Sequence, residues 1–319
     1  GDIAQIAVKR NALELLPAEL RARRKKRATI GTGSMNDPYM PVERELRLTR
    51  RALGMIADER FPVHVITKSS LAERDADILQ EISATYAAVS FTVTCADDAL
   101  SVRTEPGAPA SSERFRAMAA LAAKGIYTGV TMMPLLPLIN DTRENVEAIV
   151  RRAKDAGASY ILPMFGVTLR SGSREHFHAT LDREFPGLKA RYEACFGNRY
   201  ECFSPSYRKL DDTFRNLCAK LGLETRMRFY APTCPNRVAV LNSRSVPAGP
   251  YFGKIIRGGT SHLHMGDAGM RSHCTLLHPG IERSGFPHYR NFPFSRYTPT
   301  CVVFLSWRQT EMTESNERY

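Results

Sequence analysis

Between residues 29 and 222 strand-like and helix-like segments alternate, and this alternation restricts the fold more than any other feature of the chain. An opening helix is expected over 7–26, with Leu13, Leu16 and Leu20 on one face and Pro17 as its weak point. Strands are predicted at 29–33, 62–68, 87–94, 127–133 and 160–163. Helices are predicted at 43–57, after Ser70 (capping box Ser70/Glu73), at 112–124, after Asp141 (capping box Asp141/Glu144), and across 188–221. Gly125 suits the C′ position of the third of these.

Regular alternation means parallel strands joined by crossover helices. The predicted fold class is α/β: a TIM-type (β/α) barrel, or a partial barrel that has lost its first strand, with a doubly wound sheet as the alternative. The pattern stops near Arg228, which predicts two regions: a barrel over 1–227 and an irregular tail over 228–319, disordered or aberrant in origin. Five of the eight histidines lie in that tail, but His262, His264, His273, Cys274 and His278 match no tight metal-ligand spacing. The first residue is Gly1 rather than Met, so the chain is expected to begin inside a longer one.

Charge and cysteine usage narrow the class further. A net charge of +12 favours polyanionic partners such as nucleic acid, and Arg21, Arg23, Arg24, Lys25, Lys26 and Arg27 form one dense basic run. The last turn of a helix explains the same run, because cations complement the negative end of its dipole. Seven scattered cysteines with no secretory signal argue for free thiols and a cytoplasmic protein, and no pair has CxxC or CxxxC spacing. No apolar run reaches the roughly 18 residues of a spanning helix.

The sharpest motif is Gly31-Thr-Gly33-Ser34-Met-Asn36-Asp37-Pro38-Tyr39-Met-Pro41-Val-Glu43, where the first strand runs into its helix. Loops at the carboxyl ends of parallel strands build ligand sites. Glycines there admit a close backbone approach, and Ser34, Asn36 and Asp37 supply donors and acceptors. This segment is followed by Ile66-Thr67-Lys68-Ser69, Val89-Ser90-Phe91-Thr92, Glu105-Pro106 with Pro109 and Arg114, and Val130-Thr-Met-Met-Pro134 with Pro137, Asn140 and Asp141. In that order, over residues 1 to about 230, the motifs resemble the radical S-adenosylmethionine (SAM) proteins of the spore photoproduct lyase-like, or "DNA repair photolyase", group.

The resemblance implies a lyase-like enzyme on a partial barrel. It would hold a [4Fe–4S] cluster that cleaves SAM to a 5′-deoxyadenosyl radical, with flavodoxin or ferredoxin as reductant and nucleic acid as a candidate substrate. It assigns cofactor binding to Gly33, Ser34, Asn36, Asp37, Lys68 and Ser90, with Lys68 facing the SAM carboxylate. Each has a plainer reading: Asp37 before Pro38 starts turns, Lys68 reaches water from a strand end, Ser90 packs as a small residue, and Glu105 pairs with Arg114 to brace a loop. The group's CxxxCxxC loop is absent from this sequence, and Gly33, Ser34 and Met35 stand where spore photoproduct lyase itself has a hydrogen-donor cysteine. The cluster ligands are thus outside the chain, which is expected to be truncated and inactive, with its substrate open. The rival readings are a non-catalytic remnant and a phosphate-binding barrel cradling its ligand at Gly31-Thr-Gly33-Ser34.

Overall fold

The computed structural model describes Val8, residues 11–33 and 36–231, and the backbone of Val303 and Phe304. Ser34 and nearly all of the expected tail, including its histidines, lie outside the described residues.

In chain order come α1 (Ala12–Arg23), β1 (Ile30–Thr32), α2 (Glu43–Leu46), α3 (Leu48–Asp58), β2 (Val63–Thr67), a 3-10 turn (Ser70–Asp75), α4 (Ala76–Ser83) and β3 (Ala87–Thr92). Next are α5 (Asp98–Thr104), α6 (Ser111–Ala123), β4 (Tyr127–Met132), α7 (Arg143–Asp155) and β5 (Tyr160–Pro163). The chain continues through β6 (Gly166–Thr168), α8 (Ser173–Glu184), α9 (Leu188–Phe196), β7 (Glu201–Phe203) and α10 (Tyr207–Leu221), with β8 (Val303–Phe304) described later.

β1 to β5 are parallel and lie side by side in chain order, and β8 pairs parallel with the outer edge of β1 (Ile30 opposite Val303). One set of alternate residues, including Val63 and Val65, Val89 and Phe91, Val130 and Met132, joins the helices in a single apolar core. Leu53 and Ile56 of α3, Leu79 of α4, Met118 of α6 and Phe214 of α10 meet them there. Each such side chain contributes roughly 1.5–3 kcal/mol on burial. A doubly wound sheet reverses its strand order and covers both faces with helices. Here β1 to β5 follow one another without reversal and the helices of the core share one face, as in a partial (β/α) barrel.

The opposite residues of the same strands form a second face floored by small side chains. Ala88, Ser90 and Gly129 lie there beside the large ring of Tyr160. At the strands' amino ends Met227 packs against Ala88 and Tyr160. The Arg228 N–H donates to the Tyr127 hydroxyl at 3.1 Å, and the Tyr86 hydroxyl donates to the Arg228 carbonyl. The described chain therefore stays packed past residue 227, through the ring contact of Tyr230 with Tyr86.

Local details depart from the sequence expectations for identifiable reasons. The helix expected over 43–57 is two helices, broken at Arg47 in the left-handed region (φ 51°). Ser69, not Ser70, accepts from the backbone to start the turn after β2. Thr142, not Asp141, caps α7, because the Asp141 carboxylate is taken by the Leu138 N–H at 2.7 Å and the Ser204 hydroxyl at 2.5 Å. The stretch read as helical from 188 contains β7, which pairs antiparallel with β6 over a small separate core of Leu181, Tyr192 and Cys202.

Candidate functional site

The site is built where β1, β2 and β3 end. Gly33 follows β1 with φ +86°, and a Cβ there would stand 2.0 Å from the Ile66 carbonyl oxygen, so only glycine lets this turn lie against β2. Asp37 then fastens the turn to the end of β2. Its Oδ1 accepts from the Tyr39 N–H (2.9 Å) and the Thr67 hydroxyl (2.6 Å), and its Oδ2 accepts from the Lys68 N–H (2.6 Å). Asn36, one residue earlier, is exposed and has no hydrogen bond among the described residues.

The rest of the motif is framework. Buried Glu43 accepts from the Thr49 N–H (2.9 Å) at the start of α3 and pairs with Arg74 (2.8 Å). Arg74 also grips fully buried Asp75 with two nitrogens, at 2.7 and 2.9 Å. Arg50 reaches Asp75 at 3.1 Å and holds Asp77 with both terminal nitrogens, at 2.9 and 2.7 Å. These charge-assisted bonds hold the Asp77 carboxyl down to about 2. Sequence reasoning missed this lattice, because its two halves, Glu43 with Arg50 and Arg74 with Asp75 and Asp77, lie 24 to 34 residues apart and no local period joins them.

Lys68 extends past the end of β2 to Glu105, with Nζ 2.9 Å from Oε1. The other oxygen of Glu105 accepts from Arg114 Nη1 at 2.5 Å, so the expected Glu105–Arg114 pair is present and Lys68 shares it. Arg114 is wholly buried. Its Nε donates to the Pro109 carbonyl and its Nη1 to the Thr92 carbonyl, both at 2.8 Å, while Nη2 has no partner among the described residues.

Ser90 sits deeper and turns its hydroxyl to two neighbours, the Tyr160 hydroxyl at 2.6 Å and His64 Nε2 at 2.8 Å. Tyr160 reaches it by lying across Gly129, where a Cβ would come within 2.4 Å of the ring. Burial raises the Tyr160 hydroxyl and lowers His64 to about 4, so the imidazole is neutral near pH 7. Neither His64 nor Tyr160 carried a sequence signal. Gly129 in an otherwise apolar strand was the available clue.

Four cysteines are described and all are free: Cys95, Cys202 and Cys218 are buried and Cys195 is exposed. Among the described residues no group of three His, Cys, Asp or Glu side chains is placed to hold a metal ion. The described donor set therefore does not fit a [4Fe–4S] cluster. A phosphate cradle would call for a second glycine-rich strand end late in the fold; Gly166 instead belongs to the β6–β7 ladder, where a Cβ would stand 2.7 Å from the Cys202 carbonyl. The basic run leads into the amino end of β1, the opposite end from Lys68. There Arg21 pairs with Glu59, Arg23 with Glu19, and Arg27 lies over the Phe61 ring. No described helix is long and apolar enough to cross a membrane.

No family model matches the chain. The uncharacterized protein Rv2578c of Mycobacterium tuberculosis is 31% identical over 208 residues, covering 65% of this chain and 60% of that protein. The uncharacterized protein MJ0683 of Methanocaldococcus jannaschii is 29% identical over 157 residues, 49% of this chain and 56% of its own. The chain thus spans about 60% of the length of these curated relatives. Among solved structures, a spore photoproduct lyase mutant with bound AdoMet and dinucleoside spore photoproduct superposes with a TM-score of 0.52 at 13% identity, over 67% of this chain and 66% of that one. Over that two thirds, this chain has the fold of spore photoproduct lyase.

Proposed function

We propose that this chain carries the SAM-binding part of a radical SAM enzyme of the spore photoproduct lyase-like group, with the cluster ligands supplied from outside its own residues. The observation that supports this best is the joint built by Asp37, which locks the Gly33 turn to the strand end bearing Lys68. SAM ends in an ammonium and a carboxylate, and such a zwitterion needs one cation beside neutral polar partners. Lys68 supplies the cation, the Gly33 turn brings backbone to close range, and Asn36 is exposed beside it. Asp37 acts through the turn rather than on the ligand, since both its oxygens are engaged. Ser90 likewise acts through Tyr160 and His64. Bound SAM would supply the 5′-deoxyadenosyl group. The chain's own residues bind its polar end, orient it at the strand ends, and keep the adjoining face neutral through His64, Ser90 and Tyr160.

The mismatch between the cysteines and a cluster is part of the same reading. No cysteine pair in the sequence is closer than the seven residues between Cys195 and Cys202, so no CxxxCxxC loop exists within it. This chain alone is therefore inactive in SAM cleavage. Nucleic acid as substrate is supported by the dinucleoside bound to the neighbour of like fold, while the basic run lies at the wrong end of the strands to contribute.

Anaerobic reconstitution with iron and sulfide tests the assignment on this chain and on a version extended upstream in its gene. The extended protein is expected to bind about four irons and release 5′-deoxyadenosine from SAM, with this chain doing neither. Iron-free preparations of both would sink the radical SAM reading and leave a non-catalytic remnant.

A further inference from the structure

Two cations share one carboxylate at the ends of β2 and β3, and their surroundings differ sharply. Arg114 is wholly buried and fixed by three bonds, Glu105 is 9% exposed with both oxygens occupied, and the Lys68 side chain is 39% exposed. The array is anchored at Arg114 and open at Lys68. The three groups that touch carry a formal charge of +1, Asp98 is near enough to Arg114 to feel its charge, and the end left open to a further anion is Lys68. The Arg114 Nη2 has no partner among the described residues.

A lysine stem left to itself samples many rotamers, and fixing it on a ligand costs side-chain entropy. We propose that Glu105, held by Arg114, is a positioning residue. It pre-aims the Lys68 ammonium, so that a ligand carboxylate meets an ordered cation instead of a mobile one. This inference rests on the SAM reading above and adds residues which that reading does not need: Glu105 and Arg114 act through Lys68. The proposal opposes simple Coulomb reasoning, which supplies its test. Glu105 is an anion near the place of the ligand's carboxylate, so if it only neutralised charge, removing it would strengthen the binding of that carboxylate. If it positions Lys68, removing it weakens that binding.

The experiment is calorimetric titration of this chain with SAM and with decarboxylated SAM, which keeps the sulfonium and amine but lacks the carboxylate. The readout is the ratio of their dissociation constants. The unmodified chain is expected to prefer SAM about tenfold, the effect of one charge-assisted contact. Lys68→Met should abolish the preference and leave the decarboxylated ligand unchanged. Glu105→Gln should lower the preference at least threefold although Lys68 remains. Because Glu105→Gln leaves Arg114 buried without its counter-charge, Glu105→Asp serves beside it: it keeps the charge, draws the carboxylate back from Lys68, and should lower the preference likewise. A preference unchanged or increased in both Glu105 variants overturns the positioning role while the SAM site stands. Equal binding of the two ligands by the unmodified chain overturns it too, with the adenosyl part of the reading intact. Failure to bind either ligand sinks both.

Discussion

Two ionic clusters flank the end of β2, and they are built to opposite plans. In the lattice of Glu43, Arg50, Arg74, Asp75 and Asp77, three acids meet two arginines, and its buried carboxylates, Glu43 and Asp75, both reach an arginine. In the group of Lys68, Glu105 and Arg114, two cations meet one acid, and one buried nitrogen has no partner among the described residues. The first cluster ties α2 and α3 to the turn before α4, with both oxygens of buried Asp75 held by arginines. The second opens to solvent at Lys68. Charge density alone would rank the lattice as the better candidate site, whereas accounting for partners selects the poorer cluster.

The comparison can be broken by experiment. The largest effect is expected at the first cluster. Asp75→Asn leaves two arginines facing a neutral group in a fully buried place, and should cost about 3–5 kcal/mol in chemical denaturation. A loss below about 1 kcal/mol would show that the lattice does not hold the fold, since that is the scale of exposed pairs.

Next comes the neutral chain that separates the two clusters from the strands' amino ends. His64 is lowered to about 4 from its usual 6.5, so between these values the unfolded chain binds a proton that the folded chain refuses. Stability should be fully present above pH 6.5 and fall as pH drops toward 4, by up to about 3 kcal/mol. Denaturation midpoints of the parent and His64→Gln across this window test it. The variant should show the shallower slope, and equal slopes would mean that His64 titrates normally.

The smallest effect is expected at Gly129. Gly129→Ala pushes the Tyr160 ring off Ser90 and should cost about 1–3 kcal/mol by overpacking. A neutral result would show that the ring moves aside freely.

The sequence disclosed the parts of the fold that depend on period and spacing. Five strands and most of the helices between them follow from apolar runs and glycine punctuation, because a parallel sheet buried on both faces writes near-continuous hydrophobic stretches; α5, in what read as a loop, was missed. The β6–β7 hairpin was not legible: three-residue strands carry no measurable period, and β7 lay inside what read as one long helix. Of the site, the Glu105–Arg114 pair was foreseen from residue type and placement. Its third member, Lys68, was assigned to a ligand alone, because the 36 residues between Lys68 and Glu105 hide their meeting. Ser90 was expected at the cofactor. Its engagement by His64 and Tyr160 depends on strand register and on a ring crossing a glycine, neither of which a linear sequence displays.

The Asp37 carboxylate has a consequence beyond the bonds it makes. It fixes the backbone of Lys68 to Asp37, while Gly33 lies against Ile66, so both sides of the proposed ligand site are referenced to the end of one strand, β2. A change in the length of the 33–37 segment would then act at a distance. It would be felt as a wrong span between the turn and the lysine, rejecting ligands by size before any contact with them was altered.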